Sequence, residues 1–122
     1  MQDENKHRYD LEERTALFGE RVIDLARKFK LDAVNKPLIS QIVRSATSVG
    51  ANYTEADGGV SKKDFRNKIG TCRKEAKETK HWLRMLSKSN PEHIEGCRVI
   101  WKEAHELVLI FSKIYNSSKD KD

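Results

Sequence analysis

The chain has 122 residues, enough for one well-buried core and too few for two, so a single domain is expected. Apolar residues make up 37% and charged residues 35%, a balance that suits amphipathic helices with one wetted face. No apolar run nears the ~20 residues of a membrane span, and the polar start of the chain argues against a leader, so a cytoplasmic, membrane-free protein is expected.

In chain order, residues 1–9 are expected to be frayed. Helix one opens at Asp10, which with Glu13 forms a D-x-x-E capping box, and runs to residue 30 with Leu11, Phe18, Val22, Leu25 and Phe29 on one face. After a break over 32–36, Pro37 takes a first-turn position where its missing N–H is harmless. Helix two covers 36–57, its stripe being Ile39, Ile42, Ala46, Val49, Tyr53 and Ala56, and Gly58-Gly59 ends it. Ser61 and Asp64 form the next capping box. Phe65, Ile69, Cys72, Ala76, Thr79, Leu83 and Leu86 then carry helix three over 61–88. Asn90-Pro91 caps and starts helix four, 91–116, whose stripe is Ile94, Cys97, Trp101, Ala104, Val108, Phe111 and Tyr115; from Ser117 the chain should fray. Four helices joined by connections too short for crossovers must alternate in direction, so the fold class is all-α, an antiparallel up-down-up-down four-helix bundle.

Cys72 and Cys97 fall on apolar seams of separate helices. In a tight hairpin they lie about eleven residues, ~16 Å, out of register, beyond the ~7 Å Cα reach of a disulfide, so free buried thiols are expected.

Charge is unevenly spread. Residues 61–88 hold ten Lys or Arg against three acids, whereas 10–30 and 36–57 each sum to zero and 91–116 to −1. At about 100° per residue, Arg66, Arg73, Lys77, Lys80, Arg84 and Lys88 share one band over ~33 Å, and Lys62 and Lys63 extend it. These eight are the candidate nucleic-acid-binding residues, because each neutralised phosphate releases counterions. Helix three places no aromatics within the band, so phosphate contacts rather than base stacking are expected. The competing reading is a solvated face that only keeps the bundle soluble.

Helix two carries few charges: Lys36, Arg44, Glu55 and Asp57. Its flank Gln41, Ser45, Ser48 and Asn52 aligns with Glu55. A helix so uncharged is expected to be covered twice, by its own bundle and by another subunit, with Ser45, Ser48, Gly50 and Ala51 permitting close approach. The candidate oligomer interface is therefore Gln41, Arg44, Ser45, Ser48, Asn52 and Glu55, with Trp82 from helix three as a second contact.

Little supports catalysis. The Glu-x-x-His pair Glu78 and His81 projects away from the apolar seam, so it does not build the di-metal site that four-helix bundles can hold. His7, His93 and His105 are scattered, and neither HExxH, Cys-x-x-Cys, a P-loop nor GxGxxG is present. No catalytic residue, metal or cofactor is assigned.

The run from Gln41 to Gly59 resembles the pattern Q-x-x-R-[SA]-A-x-S-x-x-x-N-x-x-E-[AG] of the bacterial four-helix bundle protein family. The matches are Gln41, Arg44, Ala46, Ser48, Asn52 and Glu55, followed by Phe65 and Glu75. Where that family often reads Ile-Ala-Glu-Gly, this chain has Tyr53, Thr54, Glu55 and Ala56. The family includes proteins encoded within intervening sequences of large-subunit ribosomal RNA genes, often labelled ribosomal proteins, and the accessory variability protein of diversity-generating retroelements. The resemblance, over roughly residues 9–116, implies a ring-like homopentamer with a basic surface and no enzymatic activity. It also implies RNA or DNA, and a reverse transcriptase or other protein, as partners. The expected function is a non-enzymatic oligomeric bundle binding nucleic acid through helix three. The alternative is a protein-interaction adaptor or structural oligomer.

Overall fold

The computed structural model describes residues 2–58 and 61–120, with side chains over 11–58 and 61–118. It contains α1 (Gln2–Ala26), α2 (Asn35–Asp57), α3 (Lys62–Ser89) and α4 (Ile94–Asp120), with a 3-10 turn at Pro91–His93 before α4. No strand occurs among the described residues, and none of their helices is long and apolar enough to cross a membrane. Gly59, expected to help stop helix two, lies outside the described residues, as do residues 121 and 122 of the expected frayed end.

Side-chain pairs show that neighbouring helices are antiparallel. Arg73 meets Tyr115 while Lys80 meets Trp101 and His105, so α4 numbers fall as α3 numbers rise. Glu78 and Lys68 of α3 meet Arg44 and Glu55 of α2 in the same sense. Arg14 closes the bundle from α1 with a two-pronged bond to Glu103 of α4, at 2.8 and 2.9 Å.

The expected stripes of α1, α2 and α3 form the core. Phe18, Val22, Ile42, Val49, Ile69, Leu83 and Leu86 are almost wholly shielded, joined by Leu107 and Phe111 of α4. At ~1.5–3 kcal/mol for each fully buried large side chain, this cluster is the main force holding the fold. The fourth stripe differs from expectation: Ile100 and Leu107 are buried, whereas Ile94 and Trp101 are 42% and 38% exposed. Gly96 packs beside Leu25 and Glu103 binds Arg14, so α4 turns its Ile100–Leu107 side to α1 and its Trp101 side toward α3.

Helix ends also differ. The helical backbone runs through position 10, so Asp10 does not cap α1; the helix begins at Gln2, within the stretch expected to fray, and ends at Ala26 rather than 30. Asp32 starts α2 from the preceding loop, its Oδ1 accepting the N–H groups of Val34 at 3.1 Å and Asn35 at 2.7 Å. Ser61 caps α3 as expected, accepting the Asp64 N–H at 3.1 Å. Asn90 makes no side-chain cap bond to the turn it precedes. Instead Asn35 Nδ2 donates to Asn90 Oδ1 at 2.8 Å and Asn90 Nδ2 donates back to Asn35 Oδ1 at 3.0 Å. Ser89 donates to the same Asn35 oxygen and the Lys30 carbonyl accepts from Asn35 Nδ2, so the amide uses both its donors and both its acceptor positions. This network ties the α1–α2 connection to the α3–α4 connection at one end of the bundle. α4 continues helically past Ser117 to Asp120, beyond the expected end at 116.

Candidate nucleic-acid interface

The α3 cations divide by what they touch. Lys62, Lys63, Lys77, Arg84 and Lys88 are exposed and make no ion pair among the described residues. Arg66 is half-buried and engaged. Arg73 and Lys80 lean across to α4. The Arg73 guanidinium lies 4.4 Å from the Tyr115 ring centroid, and Gly70 leaves room for that ring, since a Cβ there would come within 3.2 Å of it. Lys80 Nζ sits 4.5 Å from the Trp101 centroid and 2.9 Å from His105 Nδ1. An ammonium only donates, so in this contact Nδ1 is the acceptor. The two α4 rings stack, with centroids 5.2 Å apart and planes 10° from parallel.

The basic band therefore has aromatics beside it, contrary to the reading from helix three alone; they come from the neighbouring helix. Trp101, His105 and Tyr115 were not legible as site residues, because on the α4 sequence they read as part of an apolar stripe or as a scattered histidine. Their spacing of four residues and more along one helix was the available signal, but it needs α3 alongside to acquire meaning.

Of the six α2 residues expected to form an oligomer interface, Arg44, Ser45 and Glu55 meet α3 of the same chain. Arg44 donates to Glu75 at 2.7 Å and to Glu78, and its Nε donates to Gln41 Oε1 at 3.1 Å. The hydrogen bond to Glu78, reinforced by Glu75, holds the Arg44 guanidinium above its ordinary range despite the opposing effect of burial. Ser45 is fully buried, with its Oγ 2.8 Å from Thr79 Oγ1, so it is withdrawn from the interface set. Glu55 accepts from Lys68 at 3.2 Å. Ser48 and Asn52 are half-buried and bonded to each other, at 2.9 Å. Trp82 packs against the core, edge-on to His81, and its buried Nε1 finds no partner among the described residues. Within the chain α1 and α2 approach closely, Gly50 facing Thr15 and Gly19 facing Thr47.

Among the described residues no three His, Cys, Asp or Glu side chains are gathered as a metal site, and Glu78 is held by Arg44. Cys72 and Cys97 are free and buried. Burial pushes the Cys72 thiol up to about 12 and raises Cys97 as well.

A family model described as 23S rRNA-intervening sequence protein matches residues 8–95. The chain belongs to that family. The crystal structure of a protein of unknown function from the S23 ribosomal protein family of Bacteroides thetaiotaomicron is similar to this chain. Its TM-score is 0.81 at 28% identity, covering 89% of this chain and 97% of that one. No curated protein matches. The family pattern seen in the sequence acquires a structural role from Arg44 and Glu75, which join α2 to α3, while Arg73 and Lys80 of the basic band reach across to α4.

Proposed function

We propose that this member of the 23S rRNA-intervening sequence protein family is an oligomeric nucleic-acid-binding protein that holds phosphates along α3 and catalyses no reaction. The observation that supports this most is the set of exposed cations Lys62, Lys63, Lys77, Arg84 and Lys88, which no carboxylate among the described residues neutralises. A solvated face evolved only for solubility gains nothing from concentrating charge on one helix, whereas a phosphate track does. The proposed absence of catalysis is supported by the state of the two thiols and of the buried Ser45–Thr79 pair. The thiols are buried and kept protonated, and the Ser45 and Thr79 hydroxyls bond each other and backbone carbonyls.

Binding of a labelled single-stranded oligomer, followed by anisotropy at several salt concentrations, tests this. At about 0.7 counterions per phosphate, five engaged cations give a slope of log affinity on log salt near −3.5 per protomer. Changing Lys77, Arg84 and Lys88 together to alanine should bring the slope to about −1.4 and weaken binding at every sequence alike. No binding at low ionic strength, or binding indifferent to salt, sinks the proposal. A pull-down that returns one acidic protein and no nucleic acid favours the adaptor reading, which the exposed Val99 and Leu109 of α4 would serve.

A further inference from the structure

We infer that the groove between the C-terminal half of α3 and the N-terminal half of α4 stacks an unpaired nucleobase against Trp101, which makes single strands the preferred ligand. This deepens the phosphate-binding reading and rests on it. The groove has a volume of about 460 Å³, within the range of small-molecule sites, and its floor is Leu83, Ile94, Cys97 and Trp101. Arg84, Arg98 and Lys102 stand at its edges. An apolar slot ringed by three cations matches a flat aromatic group carried on an anionic backbone and mismatches a purely apolar peptide.

The indole is held ready for such a group. Lys80 Nζ bonds the Nδ1 of His105, so it lies near the imidazole plane, and that plane is nearly parallel to the indole. Both groups therefore cover the same face of Trp101. They lie toward residue 105, whereas the groove contributes residues 94, 97 and 98 on the other side, so the opposite face looks into the groove. Stacking on His105 and the ammonium above the ring restrain the indole from turning, and a fixed platform loses less entropy when a base settles on it. Arg98 is paired with Glu95 at 2.7 Å, but both side chains are largely exposed, and so weak a pair yields readily to a phosphate. Bases stacked within a duplex have no free face to offer Trp101, whereas splayed bases of a single strand do.

Trp82→Phe leaves Trp101 as the single indole reporter, and titration of that protein with an oligoadenylate should quench its fluorescence. Base stacking at ~1–3 kcal/mol corresponds to a five- to 150-fold effect on affinity, and Trp101→Ala should weaken oligoadenylate binding about tenfold with the salt slope unchanged. Because that variant removes a ring from the α4 stack, the native-sequence protein is also titrated with an oligomer of equal length whose bases are replaced by abasic sites. That ligand keeps every phosphate and should bind about tenfold more weakly. If base-bearing and abasic oligomers bind equally and Trp101 is not quenched, stacking is overturned while phosphate binding stands. If neither oligomer binds at low salt, the phosphate reading itself fails. Trp101 fluorescence that changes with protein concentration and ignores oligomer would instead assign the groove to a second copy and overturn the inference.

Discussion

At the scale of single residues, Arg44 decides whether a carboxylate can be tolerated between α2 and α3. The Glu75 side chain is only 8% exposed, so without the guanidinium its charge would be stranded in a poorly hydrated seam. The Arg44 side chain is 48% exposed, which screens its share of the interaction. Arg44→Ala should therefore cost about 2 kcal/mol, below the usual cost for breaking a fully buried pair, while Glu78→Ala should cost well under 1 kcal/mol. Urea denaturation of both variants checks the order, and equal losses would contradict it. The cysteines give a pH dependence whose sign is fixed. An ordinary thiol near 9 ionises in the unfolded chain, while Cys72 in the folded chain stays protonated to about 12. Between those values the unfolded state binds fewer protons, so the Cys72 contribution to stability is flat below about 9 and falls as pH rises toward 12. Cys72→Ala should flatten that fall in urea midpoints measured across the window; an unchanged fall would show that other groups cause it.

Among the elements, the connections matter as much as the helices. Asn35 and Asn90 exchange hydrogen bonds at 2.8 and 3.0 Å across the base of the bundle, both nearly inaccessible to water. Removing either amide breaks both bonds between them and leaves a buried N–H of Asn35 or the Oδ1 of Asn90 unpaired, so Asn35→Ala and Asn90→Ala should each cost ~1–3 kcal/mol. The second loss should be much smaller once the first is made, with a coupling of about 1 kcal/mol or more in a double-mutant cycle. Additive losses would show that the two amides act independently. This pair was not legible in the sequence. Asn90 stands before Pro91 where a helix cap is the local expectation, and Asn35 sits in a short break; their meeting depends on the bundle bringing the two connections to the same end. By contrast, the stripes on α1, α2 and α3 were readable, because burial of one helical face imposes the period of three and four directly on the sequence. On α4 the seam residues Cys97, Ala104 and Phe111 were readable, but not which flank turns inward.

Over the whole molecule, the two grooves have opposite chemistry. The α1–α2 groove, floored by Gly19, Gly50 and Ala51, is edged by Glu12, Glu13 and Glu20, whereas the α3–α4 groove is edged by Arg84, Arg98 and Lys102. In a bundle whose helices follow one another around the axis, these are opposite sides. With Arg44, Ser45 and Glu55 turned to α3, we place any subunit contact on the exposed α2 residues that line the α1–α2 groove, Thr47, Ala51 and Thr54, beside those glutamates. Light scattering should then give a multiple of the 14.1 kDa protomer mass, reduced by Glu13→Lys with Glu20→Lys and by high salt. A salt-independent monomer would remove the oligomer from the proposed function. The sequence by itself determined that there are four helices, that they form one antiparallel bundle and that the cations ride on α3, because periodicity and charge are properties of single segments. Only the tertiary structure decided that Arg44, Ser45 and Glu55 of α2 face α3 and that Trp101, His105 and Tyr115 stand beside the basic band. A helical wheel gives the angle at which a side chain leaves its axis, but what waits at that angle depends on where the neighbouring helix has packed.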